Sequence, residues 1–279
     1  MQKLALATLI SAFAFSAQAH DVWVEAPNKL DANQVLNVEL GYGHFPIVEE
    51  IPAKRLDIFA PMQLVDASGK AQDLKMSGKN YQFASAQPLA KGTYWATATY
   101  KPTFWSHDAQ DKWERNDLKG MKGATYCEQT QMFAKNAVVV GGEFDPSVYN
   151  EPIGQLLEIV PLGDPAKVKA GEKFPVQVLF EGKPLAGETL IATADTVVAQ
   201  DFEAADDHRE PQGFSGKTDK NGKVNLIPLV EGLWKIKVIH KAPFADQKQC
   251  QHVAAYATLV LPVGEKRAHI EHEHHEHKH

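Results

Sequence analysis

Twelve histidines are spread over the 279 residues, and half of them sit together at one end. His269, His272, His274, His275, His277 and His279 fall within "HIEHEHHEHKH", interleaved with Glu271, Glu273 and Glu276. Neutral imidazole is a good ligand for Ni²⁺, Co²⁺, Cu²⁺ and Zn²⁺, and a run of imidazoles offers several overlapping sites of modest affinity. Ile270 is the only apolar residue in the tract, so it cannot form a core and is expected to be disordered until metal binds. An affinity tag would be an uninterrupted histidine run. Glutamate and lysine break this one, which favours native metal binding.

Three isolated histidines form a second candidate set. His20 precedes Asp21 in "SAQAHDVWVEAP", His44 follows the apparent strand "VLNVELGYG", and His240 closes "KIKVI" where the first half carries Tyr100. Ends of strands on a rigid scaffold are where binding residues are presented. If the three converge, they make one ordered nitrogen-rich site. The competing reading is that each is a surface or packing histidine. His107 in "FWSHDAQDKW" and His208 in "EAADDHRE" read as solvated loop charges or minor carboxylate–histidine sites, and His252 lies two residues after Cys250.

The residues before His20 give it a particular chemistry. Lys3 supplies a positive charge, Leu4 to Phe15 is apolar, and Ala17-Gln18-Ala19 is a small-x-small cleavage signal, the pattern of a secretory signal peptide over residues 1–19. Cleavage there would make His20 the first residue, offering a metal both an imidazole and a free amine. The expected location is the periplasm. No later segment approaches the ~18 consecutive apolar residues of a membrane-spanning helix, so no membrane insertion of the mature chain is expected. A formal charge of -6 argues against nucleic acid as a partner. The two cysteines, Cys127 and Cys250, are too few for a disulfide scaffold. They fit either one bridge or, less naturally without a CxxC spacing, a thiolate metal site.

The elements that must position these residues read as strands. Short β-branched or aromatic runs closed by Gly, Pro, Asn or Asp recur throughout, including 34–43, 55–69, 92–102, 173–194, 232–243 and 253–263. Helical pattern is confined to 106–120 and 195–207. The fold class is therefore all-β, two tandem antiparallel sandwiches of the immunoglobulin-like or transthyretin-like kind. The first spans 20–150 and the second 151–264, followed by the tail 265–279. "GTYWATATYKPTF" (92–104) and "GLWKIKVIHKAPF" (232–244) share Gly, Lys and Phe at identical offsets, and each half then has a cysteine before a closing apolar strand. That repetition suggests duplication. In the second half, Pro184 is expected to preset a Gly-Lys-Pro-Leu turn, and Asn221-Gly222 to supply two positive-φ positions for a tight hairpin. The latter arrangement resembles carboxypeptidase-regulatory sandwiches.

Several short motifs, taken in order, resemble the DUF4198 family of bacterial periplasmic proteins. They are Ala19-His20-Asp21-x-Trp23-x-Glu25, Gly43-His44-Phe45-Pro46, Leu157-Glu158-Ile159-Val160-Pro161, "GKPLAG", "TDKNGK" and the strand from Trp234 to His240. That family is similar to periplasmic components encoded beside nickel or cobalt importers, so the resemblance implies metal handling. No hydrolase elbow, zinc-protease helix or P-loop is present, and no enzyme activity is expected. The combined expectation is a periplasmic nickel- or cobalt-binding protein supporting an ABC-type inner-membrane importer, with copper or zinc as other possible metals. The alternatives are a copper chaperone, storage protein or histidine-brace oxygenase, and a non-catalytic interaction module.

Overall fold

The structure, a computed structural model, describes residues 20–200 and 210–268. The all-β expectation holds. The strands that frame the site are β1 (Asp21–Glu25), β2 (Asn37–Gly43), β3 (Gln82–Ala84), β4 (Gly92–His107), β5 (Tyr126–Val140), β6 (Leu157–Pro161), β7 (Phe174–Phe180), β8 (Thr189–Ala194), β9 (Lys223–Leu226), β10 (Gly232–Pro243) and β11 (His252–Val263).

These strands build three sheets. One is four-stranded, in the order β1, β2, β3, Lys75–Met76. The largest runs Phe214–Lys217, β8, β10, β11, β5, β4, Gln63–Val65, Ala71–Asp73, with Lys29–Leu30 on β5 and Trp113–Glu114 on β4. In the third, β7 pairs with β6, β9 and Lys183–Pro184. The large sheet is shared by both halves of the chain. Its seam is β5 against β11, paired in parallel from Glu128↔His252 to Asn136↔Val260, which departs from a purely antiparallel arrangement. β5 and β11, the strands that carry the matched cysteine segments, thus lie side by side and run the same way.

Two features accompany the parallel seam. Equivalent residues meet across the seam: the Phe104 and Phe244 rings lie 5.5 Å apart, and Cys127 is bridged to Cys250 with Cα atoms 4.9 Å apart. Neither sulfur is therefore available as a thiolate ligand. The bridge spans a sequence separation of 123, a loop length for which chain entropy alone stabilises by ~4–5 kcal/mol. The covering layers also lie on opposite faces. Val22, Val24, Val38 and Leu40 pack on Ala98, Tyr100, Ala134 and Tyr256, whereas Ile159, Val176 and Val178 pack on Trp234, Ile236, Val238 and Leu259.

Local chemistry departs from expectation in three places. The hairpin after β7 turns through Glu181 and Gly182, both at positive φ (52° and 72°), while Pro184 pairs with Leu179 inside the ladder. Conversely, at Asp219–Lys223 only Gly222 has positive φ, because the Asp219 carboxylate accepts from the Asn221 and Lys223 amides and holds the turn right-handed. Ala53–Ile58 is a 3-10 helix rather than strand, and among the described residues of 106–120 and 195–207 the helical reading survives only as the single turn Asp195–Val198.

Candidate metal site

β1 is held on both edges, by different means. On one edge it pairs with β2, from Asp21↔Gly43 to Glu25↔Glu39. On the other, the Val22 and Val24 carbonyls accept from Thr258 Oγ1 (2.7 Å) and Asn136 Nδ2 (3.0 Å) of the central sheet. Trp23 is fully buried over Gly41, where a Cβ would lie 2.0 Å from the indole. The glycine thus serves packing rather than the approach of an ion. Trp23 also meets Phe45 edge-on at 5.6 Å, which fixes the chain on either side of His44.

With Asp21 opposite Gly43, the residues just beyond the ladder come together. The His20 and His44 rings lie 5.5 Å apart, and Tyr42 sits 5.2 Å from His20. Gly43 itself has φ 147°, and Glu49 Oε1 approaches it, 3.9 Å from where a Cβ would be.

Asp21 anchors this end of β1. Its carboxylate is buried and takes Lys235 Nζ on Oδ2 and Lys237 Nζ on Oδ1, the latter at 2.6 Å. Lys235 also contacts Glu210 Oε1 at 2.5 Å and lies over the Trp23 and Phe45 rings. Burial works to raise the Asp21 carboxyl, but the two ammonium charges outweigh it and hold it well below the usual range. Lys235, in turn, is kept charged: burial opposes the ammonium, and Asp21 and Glu210 overcome that and raise it. Sequence reasoning missed this quartet. The signal was the pair Lys235 and Lys237 on a strand whose alternate residues, Trp234, Ile236 and Val238, are apolar.

His240 does not join His20 and His44. It shares the parity of Trp234, Ile236 and Val238 and faces the opposite side of the sheet, where Nδ1 meets Glu188 Oε2 at 2.7 Å and the ring lies 4.6 Å from Phe180. Strand alternation decides this, since neighbouring side chains point to opposite faces. His107 packs on Trp113 (4.6 Å) and lies 3.5 Å from Asp111, and His252 lies 5.7 Å from Tyr126. His208, the tail histidines His269, His272, His274, His275, His277 and His279, and the expected leader over 1–19 lie outside the described residues.

No group of three or more His, Cys, Asp or Glu side chains that could hold a metal is found among the described residues. His20 and His44 would therefore need a further donor to hold an ion.

At the other end of β1 stands an acidic pair. Glu25 and Glu39 face each other across the ladder, and Trp23 Nε1 donates to Glu25 at 2.8 Å. Burial pushes the Glu25 carboxyl up to about 7. The Trp23 hydrogen bond works against this, and the charges of Glu39 and Asp195 add to it.

A family model described as "Domain of unknown function (DUF4198)" matches residues 17–242. The chain belongs to the DUF4198 family. The DUF4198 match takes in His20, His44, the Asp21 clamp and most of β10, and stops before β11 and the histidine tail. No curated protein matches the chain. Among solved structures it is similar to Escherichia coli alpha-2-macroglobulin activated by porcine elastase, at 12% identity and TM-score 0.21, covering 88% of this chain and 20% of that one. The native conformation of the same protein matches at 11% identity and TM-score 0.21, covering 88% of this chain and 14% of that one. The DUF4198 chain thus spans a fifth or less of those proteins, and likeness at this level carries no functional argument. No described helix is long and apolar enough to cross a membrane.

Proposed function

We propose that this DUF4198 protein is a periplasmic binder of a divalent transition metal, nickel or cobalt, that supports delivery to an inner-membrane ABC-type importer. The observation that carries the reading is the pairing of the His20 and His44 imidazoles, 5.5 Å apart, at the residue that export processing would leave first. Two imidazoles and an amine suit these borderline metals better than Mg²⁺ or Ca²⁺, which prefer oxygen. The Asp21 clamp fixes the strand that presents them, so little ordering is required when the ion arrives. The tail supplies weaker and more numerous sites for capture, and exchange passes the ion onward.

The test is metal analysis of protein purified from periplasm without an affinity column. The full chain, a chain ending at Ala268, and that shorter chain carrying His20→Ala or His44→Ala are compared. One equivalent of nickel or cobalt should survive removal of the tail and be lost with either substitution. A shortened chain that carries no metal sinks the ordered site, as does a His20→Ala chain that keeps it. N-terminal sequencing that finds a first residue other than His20 removes the amine from the ligand set. Copper found in place of nickel or cobalt would move the reading to a copper chaperone or store, since Cu²⁺ binds imidazole sites more tightly than either.

A further inference from the structure

Glu25 lies five residues along β1 from His20, roughly 16 Å at ~3.3 Å per residue. There an open groove of about 490 Å³ is bordered by Glu25, Glu39, Leu233, Pro262 and Arg267. The described chain ends at its edge. Arg267 lines the groove, and the Ala268 amide donates to Asp195 Oδ2 at 2.8 Å. The histidine tail therefore starts at the groove's lip.

We propose that this groove is the docking site of the chain's own histidine tail, His269–His279, in its metal-loaded form. The proposal rests on the tail binding a divalent metal and does not require the His20–His44 site. Charge makes docking depend on metal. With neutral imidazoles the segment carries three glutamates against one lysine, so of the charged groups lining the groove Glu25 and Glu39 repel it and Arg267 attracts it. Each bound divalent ion adds two positive charges, so a tail holding two ions is drawn to the same carboxylates. Burial first, and the neighbouring carboxylates after it, raise the cost of keeping Glu25 ionised, and a cationic segment relieves part of that cost. The tail's one apolar residue, Ile270, lies two positions beyond the anchored Ala268 and matches the half-buried Leu233 and Pro262. Tethering at Ala268 keeps the tail at an effective concentration on the order of millimolar at the groove. Weak individual contacts then suffice.

Hydrogen–deuterium exchange of the mature full-length chain, with and without NiCl₂, tests this. Amides between Ala26 and Asn37 should exchange about ten-fold more slowly once the tail is saturated. The slowing should be absent from a chain ending at Ala268. It should also be absent from the Glu25→Gln/Glu39→Gln double variant, which should still bind the same number of tail ions and melt cooperatively. A His20→Ala/His44→Ala chain should keep the slowing, so failure of the ordered site and failure of docking are separable. Equal slowing in the chain ending at Ala268 or in the carboxamide variant overturns the proposal, as does none in the saturated full-length protein.

Discussion

Among the described residues two lysines are buried, one in each half of the chain, and they are used differently. Lys135 on β5 pairs with Glu158 on β6 at 2.6 Å, both side chains 1% exposed, beneath the Trp95 ring. Glu158 also accepts from the Ile153, Gly154 and Gln155 amides, so this pair ties down the connection between the halves and the carboxylate is fully engaged. Burial there outweighs the single carboxylate and lowers the Lys135 ammonium. Lys235 on β10 is equally buried but has two acids, and one of them follows His20 directly in the chain. With two carboxylates the ammonium is raised instead. A buried charge with one partner is a fastening, while a buried charge shared between elements can hold a functional residue in place.

Substitutions can break that contrast. The largest effect is expected from Glu158→Ala, which strands an ammonium and three amides; a loss of about 3–5 kcal/mol in denaturant unfolding should follow. A loss below about 1 kcal/mol would show that the pair does not fasten the halves. Lys235→Met should cost less, about 2 kcal/mol, because Lys237 still serves Asp21 and Glu210 turns to solvent. It should also weaken nickel binding by roughly ten-fold by loosening the strand behind His20, which calorimetry can measure, and Lys235→Arg should recover part of it. Unchanged affinity would reduce Lys235 to a second fastening.

The contrast sharpens with pH. Asp21 titrates below its ordinary value of 3.8, so its contribution is complete above about pH 4 and is lost as pH falls through the lowered folded value. Asp21→Asn should flatten that acid limb. Glu25 behaves oppositely. Between its ordinary 4.5 and about 7 the native chain holds a proton that the unfolded chain has released, so stability falls as pH rises through that window. Glu25→Gln should therefore stabilise by roughly 1 kcal/mol at pH 8 and by less at pH 5. The smallest effect on metal binding is expected from His240→Ala, which should leave nickel affinity unchanged, because His240 faces Glu188 across the sheet from the site.

Much of the architecture was legible locally. Alternation in "GTYWATATYKPTF" and "GLWKIKVIHKAPF" marked β4 and β10, and the structure adds that the residues at matched offsets, Phe104 with Phe244 and Cys127 with Cys250, meet across the seam. Part of the candidate site was legible too, since His20 and His44 each stand at the end of a strand. The turns were less so. Asp219 side-chain bonding and the Glu181–Gly182 pair override what Pro184 and Asn221 suggest by residue type. Residues 55–58 fall inside the strand-like run 55–69 because a short 3-10 segment is too brief to show its own period.

By itself, the sequence determined what can be read within a strand: the β-class, the matched offsets of 92–104 and 232–244, and the chemical character of a histidine that would follow a cleavage signal, while the pairing of Cys127 with Cys250 came from the structure. Only the tertiary structure decided which histidines share a space. Strand alternation puts His240 on the far face, while the Asp21↔Gly43 register brings His20 beside His44. It also decided that Lys235, 214 residues from Asp21, would be its partner. The physical reason is that side chains on one strand know only their own period, whereas a site is built from strands whose register and facing are set by burial across layers.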